Sequence, residues 1–466
     1  MKRVIIGEGS YGCVHNPGIH CKTPPKPGFN YSTYVSKIMK TKHAKKELDK
    51  FLIVNNIDPT DEYHLGKPIL CQPDLDVPSV KKDISKCKRI KLKDIEEEPD
   101  NYSLLLMKFG GPNLKLFCNK YISSYLKVDK QVRSDKFWLE VHHLLKGVKF
   151  FKQNNLVHND IKPHNILFNP KDGSMKFIDF GLMRTKSEIL KSSESSNNNL
   201  GVFHWSYPFD CGFMNNNIYK KYKSISLARK TFWKNQLSEL IINDSEINTL
   251  DLPINNPDSF SVLFTYINPD NTVPDEDTQY GYIESFFDGF NEMIEQNSYE
   301  KVLEFITDSV DIFGLGITLQ FMANCFNRHN AFNLPDFIRL TTFLNKMCDF
   351  NPLTRVIDID VLINEYENVL LEIGVLTRLG KKFENNLLVI KDLKVARKKN
   401  INCPLEKELN PKTNRCNKKC KTGFFRNEKF RCRKTKKNYK RNSSIKKNSF
   451  EIKSAGIELV PLKNIK

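Results

Sequence analysis

The residues of this chain that could do chemistry are concentrated in the stretch LVHNDIKPHNILF, residues 156–168. Asp160 could accept the proton of an attacking hydroxyl, Lys162 could neutralise a transferring phosphoryl group, and Asn165 could offer an amide oxygen to a metal ion. In-line phosphoryl transfer requires mainly positioning and charge compensation, which these residue types provide. His158 is expected to pack against the loop and brace it.

Two further residues could complete a site for phosphates. Asp179 in FIDFG follows Asp160 by nineteen residues and could chelate Mg²⁺ together with Asn165. Lys37 in YVSKIM lies in an otherwise apolar predicted strand, from which its ammonium group could contact phosphates. Glu47 could hold Lys37 in an ion pair, and Glu62 is the alternative partner.

A glycine-rich stretch, GEGSYGCV, occupies residues 7–14. Glycines allow a hairpin backbone to approach phosphate oxygens without obstruction by Cβ atoms. The dinucleotide-binding version of this pattern needs a helix directly afterwards, and CKTPPKPGF follows instead. Taken alone, these glycines are equally compatible with a plain turn. The residues predicted to contact a nucleotide here are Ile6, Gly7, Glu8, Gly9, Ser10, Tyr11, Gly12, Cys13 and Val14.

Strands and helices are predicted on both sides of these motifs. Residues 1–40 favour a hairpin followed by a third strand, and residues 103–111 favour another strand. The spacing of apolar residues predicts helices at KTKHAKKELDKFLIV and at DKFWLEVHHLLKGVKFFKQNN, the second leading directly into the catalytic stretch. SVDIFGLGITLQFMANC is expected to form a helix that is buried on most sides.

The composition predicts a soluble chain with one unusual end. The 466 residues are 39% hydrophobic and 27% charged, and no apolar run of about 18 residues predicts a membrane span. Residues 381–466 contain 27 Lys and Arg against seven Asp and Glu, whereas the other 380 residues contain 46 against 47. The basic end could bind nucleic acid or an acidic protein partner, and a solvated tail or a transport signal is an equal alternative.

Twelve cysteines are scattered along the chain. The amino-terminal MKRVIIGEGSYG lacks the apolar region of a secretory signal, so we expect a cytoplasmic protein that is not secreted. The first eight cysteines are therefore expected to be reduced and mostly buried. Among the last four, only the middle pair, Cys416 and Cys420, has the spacing of zinc ligands, which leaves a zinc site, a disulfide and unliganded thiols open. These four are Cys403, Cys416, Cys420 and Cys432.

The motifs, in this order, resemble those of eukaryotic-type protein kinases over residues 1 to about 375. The resemblance implies ATP and Mg²⁺ as cofactors and proteins as substrates. Lys162 matches the Ser/Thr branch, since the Tyr branch usually has Ala and Arg in this part of the loop. The resemblance further implies that Asp311 in DIFGLG braces the catalytic loop and that Arg355 in NPLTRV pairs with Asp210.

A narrower resemblance comes from GSYGCVHNP, VSKI and the Asn-rich middle of the chain. These features look most like kinases encoded by giant nucleocytoplasmic DNA viruses of the mimivirus kind, which implies a viral protein. The segment LNPKTNRC resembles a short two-cysteine adaptor element attached to assorted proteins of such viruses. The tail is accordingly expected to be a docking module rather than a catalytic one.

The chain departs from the kinase pattern in three places. Asn159 replaces the usual Arg before Asp160, which puts regulation by activation-loop phosphorylation in doubt. About 100 residues separate Pro208 from Asp311, so residues 211 to about 305 are expected to be an insert, and we favour a tolerated surface elaboration over a substrate-docking device. The link between the glycine-rich stretch and the strand lysine is also longer than usual.

The sequence thus predicts an α+β, bilobal kinase-like fold and an active Ser/Thr protein kinase. The expected domains are a small β-rich lobe at 1–112, a larger helical lobe with the insert at 113–375, and a basic Cys-containing tail at 376–466. A catalytically silent scaffold that binds partners through insert and tail is one alternative, and the retained lysine, carboxylates and Asn165 argue against it. A kinase for small molecules is another, against which the Lys162–Pro163 pair and Asp-Phe-Gly argue.

Overall fold

The computed structural model describes residues 3–9, 11–194, 204–226, 257–268 and 272–390, a few isolated positions between them, and four short pieces of the tail between 407 and 434. The chain divides into two compact units, Met1–Lys391 and Asp392–Lys466. Among the described residues, each helix is too short or too polar to cross a bilayer.

The first part of the larger unit is built on one antiparallel sheet in the order β1-β2-β3-β5-β4. The predicted hairpin and third strand are confirmed, and the strand expected at 103–111 is β5. The strand bounds are β1 Val4–Gly9, β2 Gly12–Asn16, β3 Tyr34–Lys40, β4 Ile69–Cys71 and β5 Tyr102–Lys108.

Side chains alternate between the two faces of this sheet, so the strand register defines two neighbouring rows. We call the first the inner row: Gly7, Val14, Lys37, Leu105 and Leu70 lie opposite one another across the five strands. The outer row is displaced by one residue on every strand and points to the opposite face. It consists of Glu8, Cys13, Ile38, Leu104 and Cys71.

Each face is covered by its own helices. Helix α1, Thr41–Ile57, packs on the inner face, where Met39, Ala44 and Leu105 form a small buried cluster. Helices α2, Pro78–Ile84, and α3, Leu92–Glu97, cover the outer face. The larger cluster there unites outer-row residues with apolar side chains from the helices and their connections, including Cys13, Ile38, Leu104, Val80, Ile84 and Ile95.

The remainder of the larger unit is mostly helical. Its helices are α4 Leu114–Leu116, α5 Ile122–Leu126, α6 Lys130–Gln153, α7 Lys186–Ser193, α8 Asn216–Lys223, α9 Pro257–Ile267, α10 Glu276–Gln296, α11 Tyr299–Arg328, α12 Leu334–Cys348, α13 Ile359–Glu372 and α14 Val375–Arg378. Short strands between them are β6 Leu156–Val157, β7 Ile166–Phe168, β8 Met175–Phe177 and β9 Arg184–Thr185.

Helices α6 and α11 form the centre of this helical part. The apolar stripe predicted on α6 is buried, with Phe137, Trp138 and Leu144 fully enclosed. Helix α11 has 30 residues, and its stretch 309–325 is buried throughout, which confirms the expected core helix. The antiparallel pairs β6–β9 and β7–β8 extend from this helical core and carry the ends of the catalytic stretch.

The segment at 211–305 is more than a surface elaboration in its described part. Its helices α8 and α10 bring Tyr222, Phe286 and Phe290 into one aromatic cluster with Phe213, with ring centroids 4.4–6.3 Å apart. All four side chains are almost completely buried in the same core as α6 and α11. The expectation of a tolerated surface insert is therefore wrong for these helices, because their aromatic side chains are needed to fill the core.

The expectation that the first eight cysteines are reduced is wrong for six of them. Disulfides join Cys13 to Cys87, Cys21 to Cys71 and Cys118 to Cys325, while Cys211 and Cys348 are free and buried. The partners lie 50 to 207 residues apart in sequence, and the fold brings their Cα atoms to 5.8–6.3 Å, within the range of a disulfide. Because such disulfides persist in oxidising compartments, cysteine usage no longer supports a reducing location.

The basic end of the chain divides between the two units. Strands β10, Lys381–Glu384, and β11, Leu387–Ile390, form a hairpin in the larger unit, where Phe383 lies against His142 of α6 with ring centroids 4.3 Å apart. The smaller unit has two hairpins, formed by strands β12 Lys407–Asn410, β13 Arg415–Lys418, β14 Phe424–Arg426 and β15 Cys432–Lys434.

One tail disulfide joins Cys420 to Cys432. These two sulfur atoms are therefore not zinc ligands, and Cys403 lies outside the described residues. The predicted domain boundary after residue 375 and the docking role of the tail stay predictions.

Candidate active site

The strand lysine is held by two carboxylates. Lys37 Nζ lies 2.7 Å from Glu47 Oε2 of α1 and 3.8 Å from Asp179 Oδ2. Burial opposes its charge, but Asp179 and Glu47 outweigh that effect and raise the pKa of Lys37. Glu62 is the alternative partner considered from the sequence. It is not among the ion-pair partners of Lys37 that the structure describes. The lysine is thus a fixed positive charge at the inner face of the sheet.

The catalytic stretch forms a loop between β6 and β7 in which three side chains converge. Lys162 Nζ lies 2.6 Å from Asp160 Oδ1, and Asn165 Nδ2 donates to Asp160 Oδ2 at 2.7 Å and to the Asp160 carbonyl at 2.9 Å. Burial raises the pKa of Asp160 despite the neighbouring Lys162. A raised pKa increases the basicity of a carboxylate, which suits a group that accepts a proton.

Asp179 is brought beside this loop by the β7–β8 pair. The Ile178 N–H donates to the Asn165 carbonyl at 2.9 Å, so that Asn165 and Asp179 lie at the same end of the two strands. Asp179 has a left-handed backbone, with φ of 63°, and its side chain remains 41% exposed. The next residue, Phe180, is fully buried against Phe51 of α1. The backbone turn at Asp179 therefore buries the Phe180 ring while leaving the Asp179 carboxylate accessible.

The glycine-rich hairpin lies next to the lysine on the inner face. Gly9 pairs with Gly12 across a two-residue loop, and Val14 lies directly opposite Lys37. A Cβ atom added at Gly12 would be 1.8 Å from the Ile38 carbonyl oxygen, whereas one added at Gly9 would meet nothing within 4 Å. Gly12 is thus required by the sheet itself, and Gly9 leaves open space above the site.

The other nucleotide residues predicted in this hairpin differ in exposure. Glu8 and Tyr11 are exposed, Ile6 is half-buried, and Cys13 is buried in the outer row. Tyr11 lies against His43 of α1 with ring centroids 4.5 Å apart. Ser10 lies outside the described residues. Cys13 faces away from Lys37 and is bonded to Cys87, so its side chain is not placed to contact a nucleotide.

The catalytic loop is supported from below by α11. Asp311 accepts hydrogen bonds from the backbone N–H groups of His158 and Asn159 at 2.7 and 2.8 Å, the bracing expected from the sequence. Gly314 permits close approach, because a Cβ atom there would be 2.4 Å from the Ile161 carbonyl oxygen. His158 is fully buried between phenylalanine rings, including Phe180, and burial lowers its pKa to about 4. It therefore packs as a neutral ring.

The ion pair expected between Arg355 and Asp210 is present at 2.9 Å, and both side chains are completely buried. Arg355 also donates to the Ser309 hydroxyl at 3.3 Å and to the Asp349 carbonyl at 2.8 Å. The pair therefore connects the segment after the catalytic loop, α11 and the residues before α13. Removing one partner of such a pair leaves an uncompensated buried charge, so it has a strong structural role.

Sequence reasoning missed a contact of Tyr207. Its hydroxyl donates to the Asn159 carbonyl at 2.6 Å, and Asn159 itself has a left-handed φ of 59°. Asn tolerates this conformation better than most residues, which gives a physical reason for its presence before Asp160. No pattern in YPFD signals the contact, since it depends on two segments 48 residues apart.

The donor set fits Mg²⁺ bound with phosphates. The described residues contain no cluster of three or more His, Cys, Asp or Glu with metal-binding geometry. Mg²⁺ is usually held by one or two carboxylates together with substrate phosphates and water, and does not require such a cluster. The Asn165 amide nitrogen is used on Asp160, which leaves its amide oxygen as a ligand beside Asp179.

Comparison with known proteins finds kinases. Residues 79–208 match the protein kinase domain family. The chain is 34% identical over 72 residues to cyclin-dependent kinase B2-1 of Arabidopsis thaliana, covering 16% of this chain and 23% of that protein. It is 24% identical over 211 residues to calcium-dependent protein kinase 4 of Plasmodium berghei (strain Anka), covering 44% and 31%.

A third relative is the calcium/calmodulin-dependent protein kinase kinase of Caenorhabditis elegans, 26% identical over 190 residues, covering 38% of this chain and 30% of that protein. The matches thus span less than a third of the length of each of these three relatives. The helical majority beside a strand-rich sheet is compatible with a bilobal kinase fold. Over the matched part, the chain is similar to eukaryotic-type protein kinases.

Proposed function

We propose that this chain is an ATP- and Mg²⁺-dependent protein kinase that transfers the γ-phosphoryl group to Ser and Thr hydroxyls of proteins. The observation that carries the proposal is the convergence of Lys37, Asp160, Asn165 and Asp179 around the inner face of the sheet. Lys37 contacts Asp179, Asn165 contacts Asp160, and the backbone hydrogen bond from Ile178 to Asn165 joins the two segments that carry these pairs. Such a set meets the needs of phosphoryl transfer, which are positioning and charge compensation.

Each residue has a distinct role in the proposed reaction. Lys37 would bind phosphate oxygens of ATP beneath the glycine-rich hairpin, with Glu47 fixing its position. Asn165 and Asp179 would hold Mg²⁺, which would supply positive charge to offset that of the ATP phosphates. Asp160 would orient the substrate hydroxyl and accept its proton as the hydroxyl oxygen bonds to the γ-phosphorus, while the bond to the departing ADP oxygen breaks. Lys162 would compensate charge on the transferring group.

The catalytic loop has contacts that do not depend on a phosphorylated residue. Asp311 and Tyr207 bind the backbone on both sides of Asn159, at 2.8 and 2.6 Å. We therefore propose that the loop is held in this conformation without the usual Arg–phosphate pair. The Ser/Thr preference rests on Lys162. The viral affinity and the cytoplasmic location inferred from the sequence stay predictions.

The test is transfer of labelled γ-phosphate from ATP to a generic basic protein, with Mg²⁺ present and absent, followed by identification of the modified residues. Asp160→Asn should lower kcat by about 10²–10⁴-fold, the usual contribution of a general base. Asp277→Asn, a change of the same type at the exposed start of α10, is the matched control and should retain activity. Phosphoserine and phosphothreonine are the expected products.

Two results would contradict the proposal. The first is wild-type protein that binds ATP and Mg²⁺ but transfers no phosphate, which would favour the silent scaffold. The second is Asp160→Asn protein as active as the Asp277→Asn control.

A further inference from the structure

A cavity of about 680 Å³ lies on the outer side of the sheet, away from Lys37 and Asp160. One wall is the segment between β2 and β3, and the opposite wall is α2 with the residues that follow it. Its volume is within the range of sites that bind small molecules or side chains. The residues that line it are Arg3, Pro17, Gly18, His20, Phe29, Asn30, Tyr31, Ser32, Ser79, Lys82, Asp83 and Lys86.

The cavity carries a net positive charge. Arg3 and Lys86 both contact the carboxylate of Asp83, at 3.0 and 2.5 Å, so one of their two charges is neutralised. Lys82 is exposed and has no ion-pair partner among the described residues. Three cationic side chains and one carboxylate leave a balance of two positive charges, because burial and the nearby Arg3 lower the pKa of His20. The cavity therefore favours an anion.

Aromatic rings lie directly beside these charges. The rings of His20 and Tyr31 have centroids 4.5 Å apart, and Phe29 lies edge-on to Tyr31 at 4.8 Å. Arg3 Nε donates to the Gly18 carbonyl, and the Gly18 N–H donates to the Tyr31 carbonyl at 3.2 Å. Gly18 thus links the Arg3 side chain to the backbone of Tyr31, and cationic and aromatic side chains line the same cavity. This lining favours a ligand that carries its negative charge next to a flat ring.

Both walls are fixed before any ligand binds. Disulfide Cys21–Cys71 begins next to His20, and disulfide Cys13–Cys87 ends next to Lys86. Backbone hydrogen bonds add to the first link, from Lys22 N to the Gln72 carbonyl and from Asp74 N to the His20 carbonyl, both at 2.9 Å. A preorganised site loses less conformational entropy on binding, which favours affinity.

We propose that this cavity is a docking site for a phosphotyrosine side chain presented by a protein partner. An aryl phosphate joins its anion directly to a ring, which matches a cavity lined by both cationic and aromatic side chains. The exposed side chains of Asn30, Ser32 and Ser79 at the rim offer hydrogen bonds to the peptide backbone on either side. The site is separate from the proposed kinase centre, and its occupation does not depend on phosphoryl transfer.

The test is calorimetric titration of the full chain with phenyl phosphate and with a short phosphotyrosine peptide flanked by alanines. Each titration is run without and with a non-hydrolysable ATP analogue and Mg²⁺, which would occupy the inner face. Both probes should bind, the peptide at least as tightly as phenyl phosphate. Inorganic phosphate lacks the ring and phenol lacks the charge, so each should bind at least about tenfold more weakly.

Lys82→Glu reverses one charge of the cavity without touching a buried contact. It should weaken both probes by about tenfold or more. Lys88→Glu, the same change at an exposed position outside the cavity, is the matched control. Equal weakening in both variants, binding abolished by the ATP analogue, inorganic phosphate binding as well as phenyl phosphate, or a peptide that fails to bind would each overturn the proposal. Kinase activity of Lys82→Glu reports separately on the proposed function.

Discussion

The inner and outer rows of the amino-terminal sheet differ by one residue on every strand, yet they have opposite physical characters. The inner row places Lys37 among carboxylates beside open space, and its charge is stabilised. Beyond the exposed Glu8, the outer row is apolar, is covered by α2 and α3, and is bonded to more distant segments through Cys13 and Cys71. The same pleat thus carries a chemical surface on one side and a crosslinked structural surface on the other.

The largest expected effect is on phosphoryl transfer, and it distinguishes the inner row from the outer row. Lys37→Met should lower phosphoryl transfer by about 10³-fold, because it removes a preorganised charge from the phosphate site. Lys40→Met, at the exposed end of the same strand, should behave as wild type. Steady-state kinetics with ATP and a basic protein measure the difference. Equal activity of the two variants would mean that the inner row is not the chemical one.

Substitutions on the outer face should instead change the stability of the protein. Replacing Cys21 and Cys71 by Ala removes a crosslink that closes a 50-residue loop. We expect the free energy of unfolding to fall by about 2–4 kcal/mol, with kcat of the folded protein retained. Denaturant titration with and without a reductant checks this. Reduction should lower the stability of the wild type by more than that of the double variant, which retains Cys13–Cys87 and Cys118–Cys325. A wild type insensitive to reductant would contradict the crosslinked outer surface.

Gly9 and Gly12, which pair across the hairpin, allow a structural role and a role in ATP binding to be compared within one turn. Gly12→Ala should lower stability by about 1–3 kcal/mol, because the added methyl would overlap the Ile38 carbonyl. Gly9→Ala meets no neighbouring atom and should leave stability unchanged, but should raise the KM for ATP by filling space above the phosphates. Thermal unfolding and ATP kinetics of both variants separate these effects. Equal destabilisation would show that both glycines serve the sheet.

The smallest effect is in the pH dependence. His15 is buried on the outer face, and burial lowers its pKa below the ordinary 6.5. The unfolded chain therefore binds a proton below pH 6.5 that the folded chain excludes, so stability is full above this pH and falls as the pH drops below it. His15→Gln cannot titrate at this position and should therefore reduce this loss of stability. Unfolding free energies between pH 7 and 5 measure the change, and parallel profiles would contradict it.

Sequence reasoning succeeded where the signal is local. The three strands, α1 and α6 follow from short apolar patterns, and the residues of the catalytic loop lie within six positions of one another. It failed where partners are distant. The disulfide between Cys118 and Cys325 spans 207 residues, and no spacing rule predicts it. The aromatic core of α8 and α10 was missed because its rings, such as Phe213 and Phe290, are scattered through a polar, Asn-rich segment.

By itself, the sequence determined which groups are available for chemistry and which short elements carry them, because loop motifs and strand alternation act over a few residues. Only the tertiary structure decided that Glu47 rather than Glu62 pairs with Lys37, that six cysteines of the larger unit are joined, and that a charged cavity forms on the outer face. These features depend on distances between segments far apart in the chain, which are fixed only when the core packs.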